Sequence, residues 1–219
     1  MRMIDRFYEF LGSPLLLWSR VALIVVVIPL ALSFWYPLWR IELSAPQYPS
    51  GLELEIYSHT LQGGNNGQHL QEINTLNHYI GMRHIDRAEL SDLDWLPFAL
   101  GALALYALRV AIVGTVRSLI DLTIMTVYAG GFGLARFAYK LWVFGHNLDP
   151  QAPFKVEPFM PAMLGTKQIA NFTTTSLPQV GTFLVGAYTV GVLGITVWHL
   201  FYGRKRAIAQ AKTSPAAAA

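Results

Sequence analysis

Four long apolar runs, separated by polar stretches of unequal length, set the pattern of this chain. The first, Leu15–Tyr36, holds one charge, Arg20, in 22 residues. A helix needs about 20 apolar residues to cross a bilayer. The second, Trp95–Val116, again holds one charge, Arg109. The third, Leu119–Phe144, is free of charge only over Leu122–Ala135, so it spans only if Arg136 and Lys140 snorkel to the interface. Within it, Gly130-Gly131-Phe132-Gly133 is a place to bend or to admit a close neighbour. The fourth, Val180–Tyr202, carries no charge. The polar link around Arg117–Asp121 is so short that the second and third runs form either a tight hairpin or one long tilted helix.

The pattern predicts an all-α membrane fold of about four transmembrane helices with a small α+β extracytoplasmic cap. Residues 1–39 form the N-terminal tail and first span, and 40–94 the cap. Residues 95–144 form the second and third spans, 145–179 a Pro-rich outer loop, 180–203 the fourth span, and 204–219 a tail. The first run ends in Phe34-Trp35-Tyr36-Pro37, which is no small-residue cleavage site, so it reads as a retained anchor. Trp35, Tyr36 and Trp39 are then expected at its far interface.

Within the cap, Gly51–Tyr57 alternates apolar and polar residues, as a strand does. Gly63-Gly64-Asn65-Asn66-Gly67 is a turn-rich break. Gln68–Ile80 carries Ile73, Leu76 and Ile80 at helical spacing, and Gly81 is placed to stop that helix. Ala88–Trp95 reads as a short amphipathic segment along the membrane surface. The second loop, with Pro150, Pro153, Pro158, Pro161 and Pro178, reads as irregular. Its Phe154, Phe159, Met160, Met163 and Phe172 are expected to bury against the cap, another subunit or the bilayer. A cap of roughly 50 residues is too small to be stable alone and must pack on the helices or on a partner.

Composition supports the membrane reading: the chain is 53% hydrophobic and 13% charged, against about a quarter charged in soluble domains. Charge sets the expected orientation, because Lys and Arg stay on the cytoplasmic side. Arg2 and Arg6 lie near the N-terminus, and Arg204, Lys205, Arg206 and Lys212 near the C-terminus. Both termini are therefore expected in the cytoplasm of a bacterial inner membrane protein. The outer loops hold ten of the 13 acidic residues and five of the six histidines. The stretch Thr213–Ala219 reads as disordered. With no cysteine, disulfides, thiolate nucleophiles and Cys-ligated metal sites are excluded. No stretch has the basic pattern of a nucleic-acid surface.

The chemistry worth weighing lies in Asn77-His78-Tyr79-Ile80-Gly81-Met82-Arg83-His84. On a helix, His78 and Met82 share a face, and His84 follows where Gly81 lets the chain turn back. Imidazole and thioether ligands suit copper. His69 and His146, with Met160 and Met163, are further candidate ligands; the plain alternative is polar-loop histidines and a core methionine. Haem is disfavoured, because no CxxCH is present and His199 is the one histidine inside a run. Arg109, together with Phe154, Phe159 and Phe172, is a candidate partner contact. Arg117 and Asp121 are spaced for a helical ion pair. Glu72, Asp86, Glu89, Asp92 and Asp94 include acid or base candidates, but no nucleophile motif accompanies them. Asn171-Phe172-Thr173 is a formal glycosylation sequon, and Thr173, Thr174 and Thr175 read more simply as loop or helix-cap hydrogen bonders. No paired broken helices suggest a stand-alone transporter.

Two blocks carry a resemblance: Glu72–Met82, and Gly145-His146-Asn147-Leu148-Asp149-Pro150 followed by Gly165–Phe172. Together they resemble a group of bacterial membrane proteins associated with copper-dependent respiratory systems of the nitrous-oxide-reductase type. The resemblance covers about a fifth of the chain and implies an accessory role near copper or electron-transfer machinery on the outer face. It assigns no ligand. The expected function is a non-enzymatic membrane accessory subunit or assembly factor that meets a periplasmic redox or copper partner through its outer loops. The alternatives are a metal-free structural subunit of a larger membrane complex, and a membrane enzyme acting on a quinone or lipid.

Overall fold

The computed structural model describes residues 3–169 and 171–203. The runs of basic residues after Gly203, the tail Thr213–Ala219 and Arg2 lie outside them. Four helices are long and apolar enough to cross a membrane: Leu17–Trp35, Asp92–Val113, Val116–His146 and Val180–Gly203. They correspond to the four apolar runs, and a small antiparallel sheet accompanies them.

In chain order the helices are α1 (Met3–Gly12), α2 (Leu17–Leu32, closed by a 3-10 turn at Ser33–Trp35), α3 (Gln68–Tyr79), α4 (Asp92–Val113), α5 (Val116–His146) and α6 (Val180–Trp198, closed by a π-type turn at His199–Gly203). The strands are β1 (Trp39–Ala45), β2 (Tyr48–Ile56), β3 (Leu61–Gly63), β4 (Gly165–Ile169) and β5 (Phe172–Pro178). Two compact units divide the described residues. One takes 3–31, 100–129 and 186–203; the other takes 32–99, 130–169 and 171–185.

In the first unit, the α1–α2 corner is bonded to the α4–α5 corner. Leu15 N–H donates to Gly114 O at 3.3 Å and Val116 N–H to Ser13 O at 3.1 Å. Arg20 seals this junction by donating to Leu15 O and Ile112 O, 3.1 and 3.0 Å away. The charge that interrupts the first apolar run thus satisfies one carbonyl in the α1–α2 link and one left open in the last turn of α4. Gly114 has no room for a side chain, because an added Cβ would run into Val110 O.

A buried polar seam runs through the same unit. On α6, Tyr188, Val192, Thr196 and His199 fall on one face and are all buried. Tyr188 reaches Leu103 O at 3.4 Å and Thr126 Oγ1 at 3.5 Å. Thr196 meets Thr123 at 2.6 Å, and His199 Nδ1 lies 3.0 Å from Ser19 Oγ. The face of α6 therefore bonds to α2, α4 and α5. Polar groups inside an apolar bundle must find partners or lose their hydration uncompensated, and these do so between helices.

The second unit holds the sheet, in the order β3-β2-β1-β5-β4, all antiparallel. β1 alternates Trp39, Ile41, Leu43 and Ala45 with Arg40, Glu42 and Ser44. Its register sets Ile41 opposite Leu54 and Leu43 opposite Leu52 on one face, and Arg40 opposite Glu55 on the other. The apolar face packs under α3, where Leu43, Ala45, Leu52, Leu54 and Ile73 form a core flanked by Leu70, Leu76, Ile85 and Phe172. On the polar face, Arg40 pairs with Glu55 at 2.6 Å, a contact that holds its guanidinium pKa above the ordinary value.

Several expectations need correction. The second outer loop is not irregular throughout, because β4 and β5 form a hairpin and β5 pairs with β1. Thr173, Thr174 and Thr175 lie in β5, with Thr174 buried, and serve no helix cap. Trp39 heads β1, a strand not expected there, and its indole N–H donates to Ser176 Oγ at 2.7 Å while its ring packs on Phe137. No separate amphipathic helix covers Ala88–Trp95, because α4 begins at Asp92. The second and third runs form a hairpin turning at Gly114-Thr115, and α5 passes unbroken through Gly130–Gly133. Its 31 residues give a length of about 46 Å at 1.5 Å per residue, longer than a bilayer core. Arg117 and Asp121 are both exposed, and no ion pair joins them among the described residues.

The Thr123–Thr196 bond gives a direct test of the seam. Thr196→Val and Thr123→Val should each cost about 1 kcal/mol, and the double variant little more than either alone. Unfolding of the detergent-solubilised protein would measure this; fully additive losses would show that the two hydroxyls do not act as a pair.

Candidate functional site: the interlocked polar segments

The two blocks singled out in the sequence meet. Asn74, buried on α3, clamps the chain that follows the helix: Ile85 N–H donates to its Oδ1 at 2.7 Å, and its amide donates to Ile85 O at 3.1 Å. Asn77 O accepts from Ile80 N–H and Met82 N–H, at 3.2 and 2.8 Å. Gly81 has φ +77°, the left-handed conformation that ends a helix at little cost only for glycine. Its carbonyl accepts from Asp149 N–H at 2.8 Å, and Tyr79 O accepts from Phe154 N–H at 2.9 Å. An added Cβ at Gly81 would lie 2.9 Å from both the N and the O of Asp149. Gly145 is as tightly fitted, against Phe159 O.

This interlock fixes what is presented. His78, Tyr79 and His84 are exposed and Met82 is half-buried. Tyr79 faces Phe154 with ring centroids 6.4 Å apart, and Phe154 is 64% exposed. Phe154 therefore does not bury as expected. Phe159 is half-buried, and Phe172 packs at the edge of the cap core. Asn77 is buried with no partner for its amide nitrogen among the described residues.

The other candidate ligands are engaged in local contacts. Nδ1 of His69 accepts the Glu53 N–H at 3.0 Å, so the ring is tied to the β2 backbone. Nδ1 of His146 donates to Trp142 O at 3.0 Å, and its ring stacks on Trp142 at 4.5 Å. Among the described residues, no group of three His, Asp or Glu side chains is arranged to hold a metal ion.

The acid and base candidates have structural partners. Glu72 accepts from the Tyr48 hydroxyl, which holds that phenol above its ordinary pKa. Asp86 caps Glu89 N–H at 2.7 Å, Glu89 pairs with Arg83 at 3.3 Å, and Asp94 pairs with Arg87 at 3.3 Å. Asp92 takes two hydrogen bonds from Arg136, at 2.8 and 3.1 Å, and one from the Trp95 indole at 3.0 Å. Lys140 donates to Glu89 O at 2.5 Å. Arg136 and Lys140 are thus held by protein groups. In the first unit, Arg109 is exposed, 6.0 Å from the centroid of the Tyr106 ring.

Sequence reasoning found Gly81 as a helix stop but not its contact with Asp149. No local pattern marks the pairing of two backbone groups so far apart.

Gly81→Ala forces a non-glycine residue into the left-handed region, at about 1–2 kcal/mol, and also pushes it onto Asp149. Asn74→Ala strands the N–H and C=O of Ile85, at about 1–3 kcal/mol. Both variants should expose the outer segments to limited proteolysis while Arg83→Ala, on an exposed ion pair, does not; equal cleavage of all three would disprove the clamp. Comparison with known proteins identifies no relative: no family model, no curated protein and no solved structure matches this chain.

Proposed function

We propose that this chain is a multi-pass protein of a bacterial inner membrane, with both termini cytoplasmic, acting as a non-enzymatic accessory subunit. Its outer segments would grip a protein partner within a membrane complex. The observation that carries this reading is the Gly81–Asp149 interlock, which holds exposed His78, Tyr79 and Phe154 on a fixed backbone. A preorganised surface loses little freedom on binding, and exposed aromatic residues are the side chains that most often anchor protein contacts. The engagement of the loop carboxylates as caps and ion pairs fits a scaffold better than an acid–base site.

A second reading is favoured by the exposure of His78 and His84 on either side of the Gly81 turn, with Met82 between them. In it the same surface offers imidazole and thioether groups to copper at the partner's face.

Two measurements separate these readings. A photo-crosslinking residue at Tyr79 or Phe154 should trap one discrete membrane-associated partner, whereas the same residue at Arg109 should not; absence of any adduct at the outer positions would sink the docking role. Metal analysis and Cu(I) titration of purified wild type against His78→Ala/Met82→Ala decide the copper reading. About one copper per chain, lost in the double variant, would support it, and no copper in either would retire it.

A further inference from the structure

Among the described residues, the apolar face of the N-terminal helix α1 is only partly covered. Phe7, Phe10 and Leu11 recur at the spacing of one helical face, and Asp5 and Glu9 lie on the opposite side. Phe7, near the centre of the apolar face, is 54% exposed, and its neighbour Tyr8 is 67% exposed. Glu9 is exposed as well. Phe10 and Leu11 are half-buried. The helix therefore shows both a polar and an apolar side to its surroundings, an arrangement unfavourable in bulk water.

The surroundings of α1 are set by the chain that follows. Ser13 N–H and its hydroxyl both return to Phe10 O, at 3.1 and 2.7 Å, and end the helix. The next residues are bonded to the α4–α5 corner through Ser13 O and Leu15 N–H. α2 then begins at Leu17 with its own uncovered apolar side: Leu17 is 75% exposed, Trp18 78%, and Val21, Ile24, Val25 and Ile28 are exposed as well. Exposed apolar and aromatic residues thus continue from Phe7 and Tyr8 to Leu17 and Trp18 across a corner held by backbone hydrogen bonds.

We propose that α1 is an interfacial helix lying in the surface of the same bilayer that α2 crosses, with Phe7, Phe10 and Leu11 in the headgroup–acyl boundary. The occupant of its apolar face is lipid. The continuity with the uncovered face of α2 argues for this occupant over a protein. Within α1 the sequence sets Arg6 against Asp5 and Glu9, so the helix has no basic excess, and apolar burial and not attraction to anionic headgroups holds it there. Its use would be positional: a helix laid flat beside the corner fixes the depth of α2. This inference rests on the membrane reading of the four long helices.

The chain has no cysteine, so single labels are free of background. Phe7→Cys, Glu9→Cys and Val25→Cys would each carry an environment-sensitive fluorophore in the full-length protein. The protein would be reconstituted into phosphatidylcholine vesicles doped with nitroxide-bearing lipid. Positions 7 and 9 are about 200° apart around a helix. Position 7 is expected to be quenched several-fold more by a headgroup-proximal nitroxide than position 9, and position 25 most by a deep acyl-chain nitroxide. Equal weak quenching at 7 and 9, with 25 quenched deeply, would overturn the interfacial helix and leave the spanning helices in place. Failure at 25 as well would overturn the membrane reading itself.

Discussion

Strand β1 constrains the sheet-bearing unit more than any other element, because its two edges are satisfied by segments far apart in the chain. β2 follows it at once, whereas β5 arrives after two of the long apolar helices. A strand left with open amides and carbonyls on one side is a liability, so the first outer segment is incomplete until the second returns. The Asp149–Gly81 and Phe154–Tyr79 bonds repeat the logic at the far end of α3. Neither segment is large enough to be stable alone. Each relies on helices α4 and α5 to bring the other within reach, since closing so long a loop without them is entropically costly.

That dependence explains the disposition of the ionisable residues. Asp92 at the start of α4 is bound by Arg136 of α5, and Lys140 reaches the carbonyl of Glu89. These contacts lie where the chain passes from apolar helix to polar segment, and they tie α5 to the loop that follows α3. His69 behaves in the same way, because its ring serves the β2 backbone. Of the exposed histidines His59, His78 and His84, the last two flank Gly81, whose backbone the interlock requires. The exposed side chains and the interlocked backbone are here the same few residues.

The long helices face the opposite problem. In an apolar surround, burial of hydrophobic surface does little to bring helices together, and specific polar contacts and close packing take over. The α6 face from Tyr188 to His199 supplies such contacts to three other helices. Gly191 adds a close approach, because a Cβ there would meet Val26 of α2.

The sequence by itself determined the number of long helices, their approximate bounds, the α3 helix and its stop at Gly81, and the strand at β2. All of these follow from local periodicity or from one residue's backbone preference. β1 was not read as a strand despite its alternation, because Trp39 stands after an apolar run and reads as an interfacial aromatic. β5 was not legible: Phe172-Thr173-Thr174-Thr175-Ser176 lacks an apolar alternation, and its strand character comes from pairing with β1. Only the tertiary structure decided which histidines are engaged in local contacts, that Arg136 has a carboxylate partner, and that Gly81 meets Asp149. For the last two the physical reason is the same: a hydrogen bond between groups dozens of residues apart leaves no periodic trace in the chain, because it depends on where the helices place its ends and not on the residues beside it. The histidine contacts are closer in sequence, but they depend on how each ring is turned within the fold, which no local pattern records.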